Sequence, residues 1–338
     1  MKVAVGLSGG VDSSVAAYLL QKEGYDVTGV YIQCWDVKVD GCAADEDKAY
    51  ALQSTVKLGT KFEHLNFIKE YKEKVINYFY DEYNGGRTPN PDVLCNKEIK
   101  FGLFFDWAMK NGFDYIATGH YARVTKDNKL YMGADKSKDQ SYFLYLLDQE
   151  TLSKTLFPIG ALTKKEVRKL AKKAELPTAN RPDSMGICFV GDVDIKEFLK
   201  ERLGERQGVV RHVNGQVVGS HDGVWFYTIG QRHGFKLDKY FGVPLFVIEK
   251  DAEKNEIVVG EKEHAHRSEF CISDVHWVGE VPNLPLVCDV RIRNLGELYR
   301  ATLNKNKVVL GKPIFGVAPG QSAVFYKNEE VLGGGVIV

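Results

Sequence analysis

Six residues between a short apolar run and an amphipathic one constrain this chain more than any other feature: Ser8-Gly9-Gly10-Val11-Asp12-Ser13. The run before them, residues 2–7 (KVAVGL), reads as a buried strand. Residues 13–23 carry Val15, Tyr18, Leu19 and Lys22 at helical spacing, and Gly24 is placed to end that helix. Residues 26–32 read as a second strand. Strand, glycine turn, helix and strand form a βαβ unit, whose first turn lies at the carboxyl ends of the strands, where α/β sheets bind ligands. Gly9 and Gly10 let backbone amides converge, Ser8 and Ser13 add hydroxyls, and the helix N-terminus adds partial positive charge. The combination suits a phosphate or pyrophosphate. No Gly-Lys-Ser/Thr follows and no Gly-x-Gly-x-x-Gly is present, which excludes a Walker A loop and a dinucleotide fingerprint.

A length of 338 residues allows two or three domains with real cores. No apolar run approaches the ~18 residues of a membrane span. The first strand starts at residue 2 or 3, which leaves no room for a cleavable leader, so a cytoplasmic location is expected. With 45 basic and 45 acidic residues the formal charge is zero, so a nucleic acid must be held by a local basic surface. The six cysteines, Cys34, Cys42, Cys95, Cys188, Cys271 and Cys288, are scattered without a Cys-x-x-Cys, which argues against zinc ribbons and iron–sulfur clusters. His212, His221, His233, His264, His266 and His276 show no ligand spacing either.

Residues 1–204 alternate helix-like and strand-like patterns, which predicts a doubly wound α/β domain with a mostly parallel sheet. Helices are expected over 45–58 and 68–84, and a strand over 114–117 runs into Thr118-Gly119-His120-Tyr121. Thr163 and Glu166 have capping-box spacing. The helix that they open carries Lys164, Lys165, Arg168, Lys169, Lys172 and Lys173 on one face, either a solvated face or a phosphate-binding one. After Gly204 the pattern turns to strands, beginning with a hairpin around Asn214-Gly215. Two small β-rich domains, 205–267 and 268–338, are expected.

The stretch 87–97 (RTPNPDVLCNK) is the second informative one. Its two prolines make the approach extended and rigid. Asp92 then reads as the N-cap of a helix running to about Asn111, with Cys95 in the first turn. A thiol there feels the positive end of the helix dipole and becomes reactive; alternatively Asp92 only caps and the thiol is buried and inert. Cys188, in the stretch 183–191 (DSMGICFVG), reads from its apolar neighbours as a core cysteine. Only the fold can bring two cysteines 93 positions apart together.

Residues 8–14 (SGGVDSS) resemble the PP-loop of the ATP pyrophosphatase (adenine nucleotide α-hydrolase) superfamily. With 86–101 (GRTPNPDVLCNKEIKF), 118–121 (TGHY), 138–144 (KDQSYFL), 186–189 (GICF), 230–232 (GQR) and 319–326 (PGQSAVFY), the chain resembles the bacterial tRNA-specific 2-thiouridylase family over nearly its whole length. The resemblance implies a PP-loop catalytic domain over 1–204, a central β-rich domain and a C-terminal β-barrel that binds tRNA. It implies ATP-dependent replacement of the C2 oxygen of the wobble uridine by sulfur in tRNAs for Lys, Glu and Gln, through an adenylate. Gly6, Leu7, Ser8, Gly9, Gly10, Val11, Asp12 and Ser13 match the ATP-phosphate positions, and Ile32 and Gly119 the adenosine pocket. Cys188 matches the cysteine that receives a persulfide, Asp92 the general acid/base and Cys95 the second catalytic cysteine, with a Cys95–Cys188 disulfide left to be reduced. Asn90, Pro91, Asp92, His120, Lys138, Asp139, Gln140, Arg293, Asn294 and Gln321 match positions used on tRNA, the base being flipped from its stack. Asn294 departs from an aromatic residue in the family pattern, and Cys34 and Cys42, which the pattern does not require, read as structural. Arg291, Arg293 and Arg300 are further candidate phosphate contacts.

The implied partners are tRNA and a persulfide donor, either a cysteine desulfurase or a sulfur-relay protein, with ATP and Mg2+. No protein-built metal site, no membrane and a monomer are expected. Two other readings remain: a PP-loop ligase or amidotransferase acting on a small molecule, which needs neither cysteine, and a non-catalytic nucleotide- and RNA-binding module.

Overall fold

In the computed structural model, which describes residues 1–35, 44–183, 188 and 194–338, β1 (Lys2–Leu7) is the middle strand of a five-stranded sheet. It is buried along nearly its whole length, as expected of a strand covered on both faces of a parallel sheet. α1 (Val11–Lys22), β2 (Asp26–Gln33), α2 (Ala44–Leu58) and β3 (Lys61–Asn66) follow. α3 (Ile68–Tyr71) and α4 (Asn77–Asn84) flank a π-helical stretch, Lys72–Ile76. α5 (Pro91–Cys95) and α6 (Phe104–Lys110) flank a second, Asn96–Leu103. β4 (Tyr115–Ala117), β5 (Ala122–Val124), β6 (Leu130–Met132), α7 (Gln149–Ser153), β7 (Thr155–Leu156) and α8 (Lys164–Lys173) complete this part.

The strand order β3-β2-β1-β4-β7, parallel throughout, is the doubly wound arrangement that the alternating pattern predicts. The chain winds outward from β1 through β2 and β3, then returns to wind the other way from β4. The switch point between β1 and β4 therefore holds the turn at Gly9 on one side and residues 118–120 on the other. α8 begins with the expected capping box: Thr163 Oγ1 accepts from the Glu166 amide at 3.3 Å, and Glu166 Oε2 accepts from the Thr163 amide at 2.7 Å.

α9 (Ile195–Leu203) stacks its Phe198 on Tyr80 of α4, ring centroids 5.3 Å apart, and leads into the central sheet. That sheet has the order β10-β9-β8-β12-β11, from β8 (Gly208–His212), β9 (Val217–His221), β10 (Lys236–Leu237), β11 (Phe246–Asp251) and β12 (Glu256–Gly260). At the hairpin between β8 and β9 only Gly215 takes a positive φ. Asn214 instead uses its side chain, accepting from the Gln216 amide at 3.1 Å. β13 (His266–Trp277), β14 (Leu286–Arg291), β15 (Tyr299–Asn304), β16 (Lys307–Phe315), β17 (Ser322–Lys327) and β18 (Glu330–Ile337) close on themselves through β13 and β18 as a six-stranded barrel.

The three parts share more than linkers. One apolar cluster runs from Val93, Cys95 and Ile99 through Phe198 to Val210, Trp225 and Val259, and includes Val324 and Val331 of the barrel. β6 pairs with β18, extending the barrel sheet into the first domain. Asp139, fully enclosed, accepts from Arg291 Nη1 of β14 at 2.7 Å, from Ser141 Oγ at 3.1 Å and from the Gly133 amide at 2.9 Å. Asp139 and Arg291, both nucleic-acid candidates from sequence, are therefore turned to each other and away from solvent. Their carboxylate and guanidinium cross-link the barrel to the first domain.

Arg291→Met removes the cation and leaves the Asp139 carboxylate buried. A destabilisation of about 3–5 kcal/mol is expected in denaturant unfolding. An unchanged unfolding midpoint contradicts a structural role for the pair.

Candidate active site

Gly9 adopts φ +75°, a conformation that glycine takes without steric cost. Gly10 follows as the N-cap of α1 with no side chain bonded to the first-turn amides. Those amides, with Ser8 Oγ and Ser13 Oγ 3.3 Å apart, form a cradle for an anion, so the residues fit a phosphate. Asp12 does not add a bare negative charge there. Its carboxylate accepts from Lys164 Nζ and from Tyr121 Oη, each at 2.8 Å. Arg181 donates to the Gly9 carbonyl at 2.8 Å and pairs with Asp47 at 2.6 Å. Asp183 takes Lys138, Lys164 and Arg168 at 2.8, 2.9 and 2.6 Å; despite partial burial, these cations hold its carboxyl well below the usual range.

Gly119 sits against this turn: a Cβ there would lie 2.5 Å from the Ser13 amide nitrogen. The next residue, His120, packs its ring 5.8 Å from Phe101 and 6.0 Å from Phe157, and shares a hydrogen bond of 2.7 Å with Thr118 Oγ1. Burial, reinforced by the charge of Lys100, depresses its pKa well below the ordinary value and keeps the ring neutral. Residues 118–120 thus join the phosphate cradle to the helical segment that carries Cys95. Ile32, near the carboxyl end of β2, belongs to the same apolar cluster as Cys34 and Cys95.

The fold does bring the two distant cysteines together. Cys95 Sγ donates to Cys188 Sγ at 3.5 Å, and both are free thiols. Cys188 is held at both backbone polar groups: its amide donates to Asp92 Oδ1 at 3.0 Å, and its carbonyl accepts from Tyr71 Oη at 2.7 Å. Asp92 is therefore not the helix cap. Asn90 takes that place, accepting from the Val93 amide at 3.4 Å, with Pro91 at the first helical position. The expected single helix to Asn111 is α5, the π-helical stretch and α6 in succession.

The electrostatics set the two thiols apart. Cys95 closes α5, is fully buried, and its pKa is pushed well up by burial and by the hydrogen bond it gives to Cys188. Cys188 is partly exposed; the same hydrogen bond lowers its pKa against the effect of burial, with help from the Lys100 charge. Of the two thiols, Cys188 is the more acidic. Burial raises the pKa of Asp92 despite the Cys188 amide bond, which brings this carboxyl closer to proton exchange near neutrality. Tyr71 and Lys100, which sequence reasoning did not single out, complete the surroundings of the two sulfurs.

The remaining sequence candidates divide. Gln321 Nε2 donates to the carbonyls of Thr88 and Pro89 at 2.8 and 3.2 Å, so the barrel grips the approach to Asn90. Gln140 accepts from the Tyr121 amide at 3.1 Å. Arg293 is exposed and donates to the Phe315 carbonyl at 2.9 Å, while Asn294 Oδ1 is buried without a partner. Of α8, Lys164 pairs with Asp12 beside the cradle and Arg168 with Asp183, whereas Lys165, Lys169, Lys172 and Lys173 are exposed. Gly186, Ile187, Phe189 and Cys42 lie outside the described residues. Among those described, no three His, Cys, Asp or Glu side chains are placed to hold a metal ion, and no helix is long and apolar enough to cross a membrane.

Comparison with known proteins agrees over the whole chain. Residues 1–192 match a family model described as a tRNA methyl transferase HUP domain, 196–261 a tRNA methyl transferase PRC-barrel domain, and 267–337 an aminomethyltransferase beta-barrel domain. The chain is 46% identical over 350 residues to the tRNA-specific 2-thiouridylase MnmA of Geobacillus thermodenitrificans, covering 99% of this chain and 94% of the relative. It is 44% identical over 351 residues, with the same coverage, to the tRNA-specific 2-thiouridylase MnmA of Bacillus subtilis.

Gly119→Ala forces the backbone of residues 118–120 away from Ser13. ATP binding, measured by calorimetry, is expected to weaken about tenfold or more, equivalent to about 1.4 kcal/mol. Unchanged affinity in a folded variant contradicts the assignment of the cradle.

Proposed function

The chain belongs to the tRNA-specific 2-thiouridylase family, and we propose that its paired thiols deliver sulfur to C2 of a wobble uridine. The observation that carries this reading is the Cys95–Cys188 sulfur contact beside Asp92, across residues 118–120 from a phosphate cradle. The PP-loop domain implies ATP use.

A carbonyl oxygen is a poor leaving group. At the cradle, with Mg2+ accompanying the triphosphate, the C2 oxygen bonds to the α-phosphorus of ATP, the α–β phosphoanhydride breaks and pyrophosphate leaves, so that the oxygen can later depart as AMP. Cys188, the accessible and more acidic thiol, accepts sulfur from a donor protein as a persulfide. The terminal sulfur bonds to C2 and the C2–O bond breaks. Cys95 then attacks Cys188 Sγ, the sulfur–sulfur bond to the nucleotide breaks, and its electron pair stays on the new thiocarbonyl. The two cysteines end as a disulfide, which an external thiol reductant returns to the starting state. The two sulfurs must close by about 1.5 Å from their 3.5 Å contact to reach bonding distance. Asp92, with its raised pKa, exchanges the proton at the uridine ring.

Lys138, Gln140, Arg293 and the exposed lysines of α8 supply phosphate and base contacts, and Asn90 and Pro91 lie where a flipped base meets Asp92. The preferred substrates are tRNAs for Lys, Glu and Gln, and tRNA and ATP place the reaction in the cytoplasm. Methyl transfer, named in the descriptions of the matching family models, leaves both the thiol pair and the phosphate cradle without a task.

An unmodified tRNA-Glu transcript with ATP, a cysteine desulfurase, cysteine and reductant tests the reading, thiolation being read by retardation on a mercury-containing gel. Wild type is expected to shift the transcript, and Cys95→Ser and Cys188→Ser to lose the shift. Retention of the shift by Cys188→Ser contradicts the persulfide assignment.

A further inference from the structure

Among the described residues, the reaction above gives no task to one charged side chain at its centre, Lys100. Lys100 stands five residues after Cys95, a spacing that in an α-helix turns a side chain about 140° away. The π-helical stretch Asn96–Leu103 changes this. With more residues in each turn, positions five apart come round to nearly the same face, and such stretches collect at functional sites. Lys100 is half-buried there, in the stretch that follows Cys95, whose sulfur touches that of Cys188, and its charge acts on the Cys188 thiol. Its charge also acts on Cys95, Asp92 and His120.

On the reading that Cys188 carries the transferred sulfur, we propose that Lys100 is the positioning residue for that sulfur. Its ammonium holds the Cys188 anion, as thiolate and then as persulfide, aimed between Asp92 and Cys95. Among the described residues, the other groups facing Cys188 cannot do this. Asp92 is a carboxyl that repels a sulfur anion, Tyr71 is a phenol engaged at the Cys188 carbonyl, and Cys34 and Cys95 are thiols whose burial keeps them protonated. His120, which also feels the Lys100 charge, is neutral. A sulfur anion beside a carboxyl in a largely enclosed site is unfavourable without a cation in contact. The cation remains charged across the working range: burial opposes the charge, but the Cys188 anion outweighs it and holds the Lys100 pKa above its ordinary value. The persulfide's terminal sulfur is the more acidic species, so the same cation serves after loading.

The test reads Cys188 alone and needs neither ATP nor tRNA, so it is independent of whether thiolation is observed. In a Cys95→Ser background, iodoacetamide alkylation of Cys188 is followed by mass spectrometry across pH 5–10. Lys100→Met is expected to slow alkylation at pH 7 by about tenfold or more, with the rate recovered at the alkaline end. Lys100→Arg, which keeps the charge, is expected to retain a profile close to that of the parent. Lys100→Gln serves in place of Lys100→Met if the latter does not fold. A Lys100→Met or Lys100→Gln profile that superposes on the parent overturns the proposal, as does a slowing that is uniform across pH.

Discussion

The two hydrogen bonds that hold the backbone of Cys188, one to Asp92 and one from Tyr71, are the constraint on which the rest of the site depends. They come from different helical segments, α5 and α3, and between them leave residue 188 little freedom to turn. Its sulfur is thereby set against Cys95. A covalent bond is not needed to keep the thiols close, which is what the proposed cycle of thiol, persulfide and disulfide requires. The Asp92 carboxylate serves twice: its bond to the Cys188 amide places the sulfur, and its buried setting raises its own pKa toward the range where it can exchange a proton.

A second junction ties this chemistry to the surface that meets tRNA. Thr88 donates its amide to the Pro319 carbonyl at 2.8 Å, shares a hydroxyl contact of 3.1 Å with Thr228 of the central domain, and has its carbonyl held by Gln321. All three domains therefore meet two residues before the helix cap at Asn90. A tRNA that bears on the barrel or the central domain acts on a backbone that leads directly to Asp92 and Cys95. The buried Asp139–Arg291 pair fixes the barrel from the other side. The continuous apolar cluster between the first and central domains makes their relative placement a matter of core packing.

Much of this was legible in the sequence, for identifiable reasons. The strand and glycine turn before α1 have local signals, and the capping box of α8 is written in four consecutive residues. The parallel order followed from the alternation of helix and strand. What escaped was whatever depends on distant contact or on irregular helix geometry. Asp92 looked like a cap because it precedes a helix; Asn90 takes the cap because Pro91 is preset for the first helical position. For Cys95 the sequence left a reactive first-turn thiol and a buried one both open; the helix it closes buries it completely, and Cys188 is the more acidic of the two. Lys100 was invisible because five-residue spacing has no meaning in an α-helix. Asp139 and Arg291 read as surface charges, since nothing in either local segment announces a partner 152 residues away.

The central claim is that Cys188 carries the sulfur and Cys95 releases it, with oxidation of the pair. The most direct measurement is a single turnover with enzyme loaded with persulfide on Cys188, given ATP and tRNA-Glu transcript without reductant, followed by peptide mapping of both cysteines. The account predicts at most one 2-thiouridine per chain and a Cys95–Cys188 disulfide formed in step with it. Product formed while both cysteines return to free thiols contradicts it.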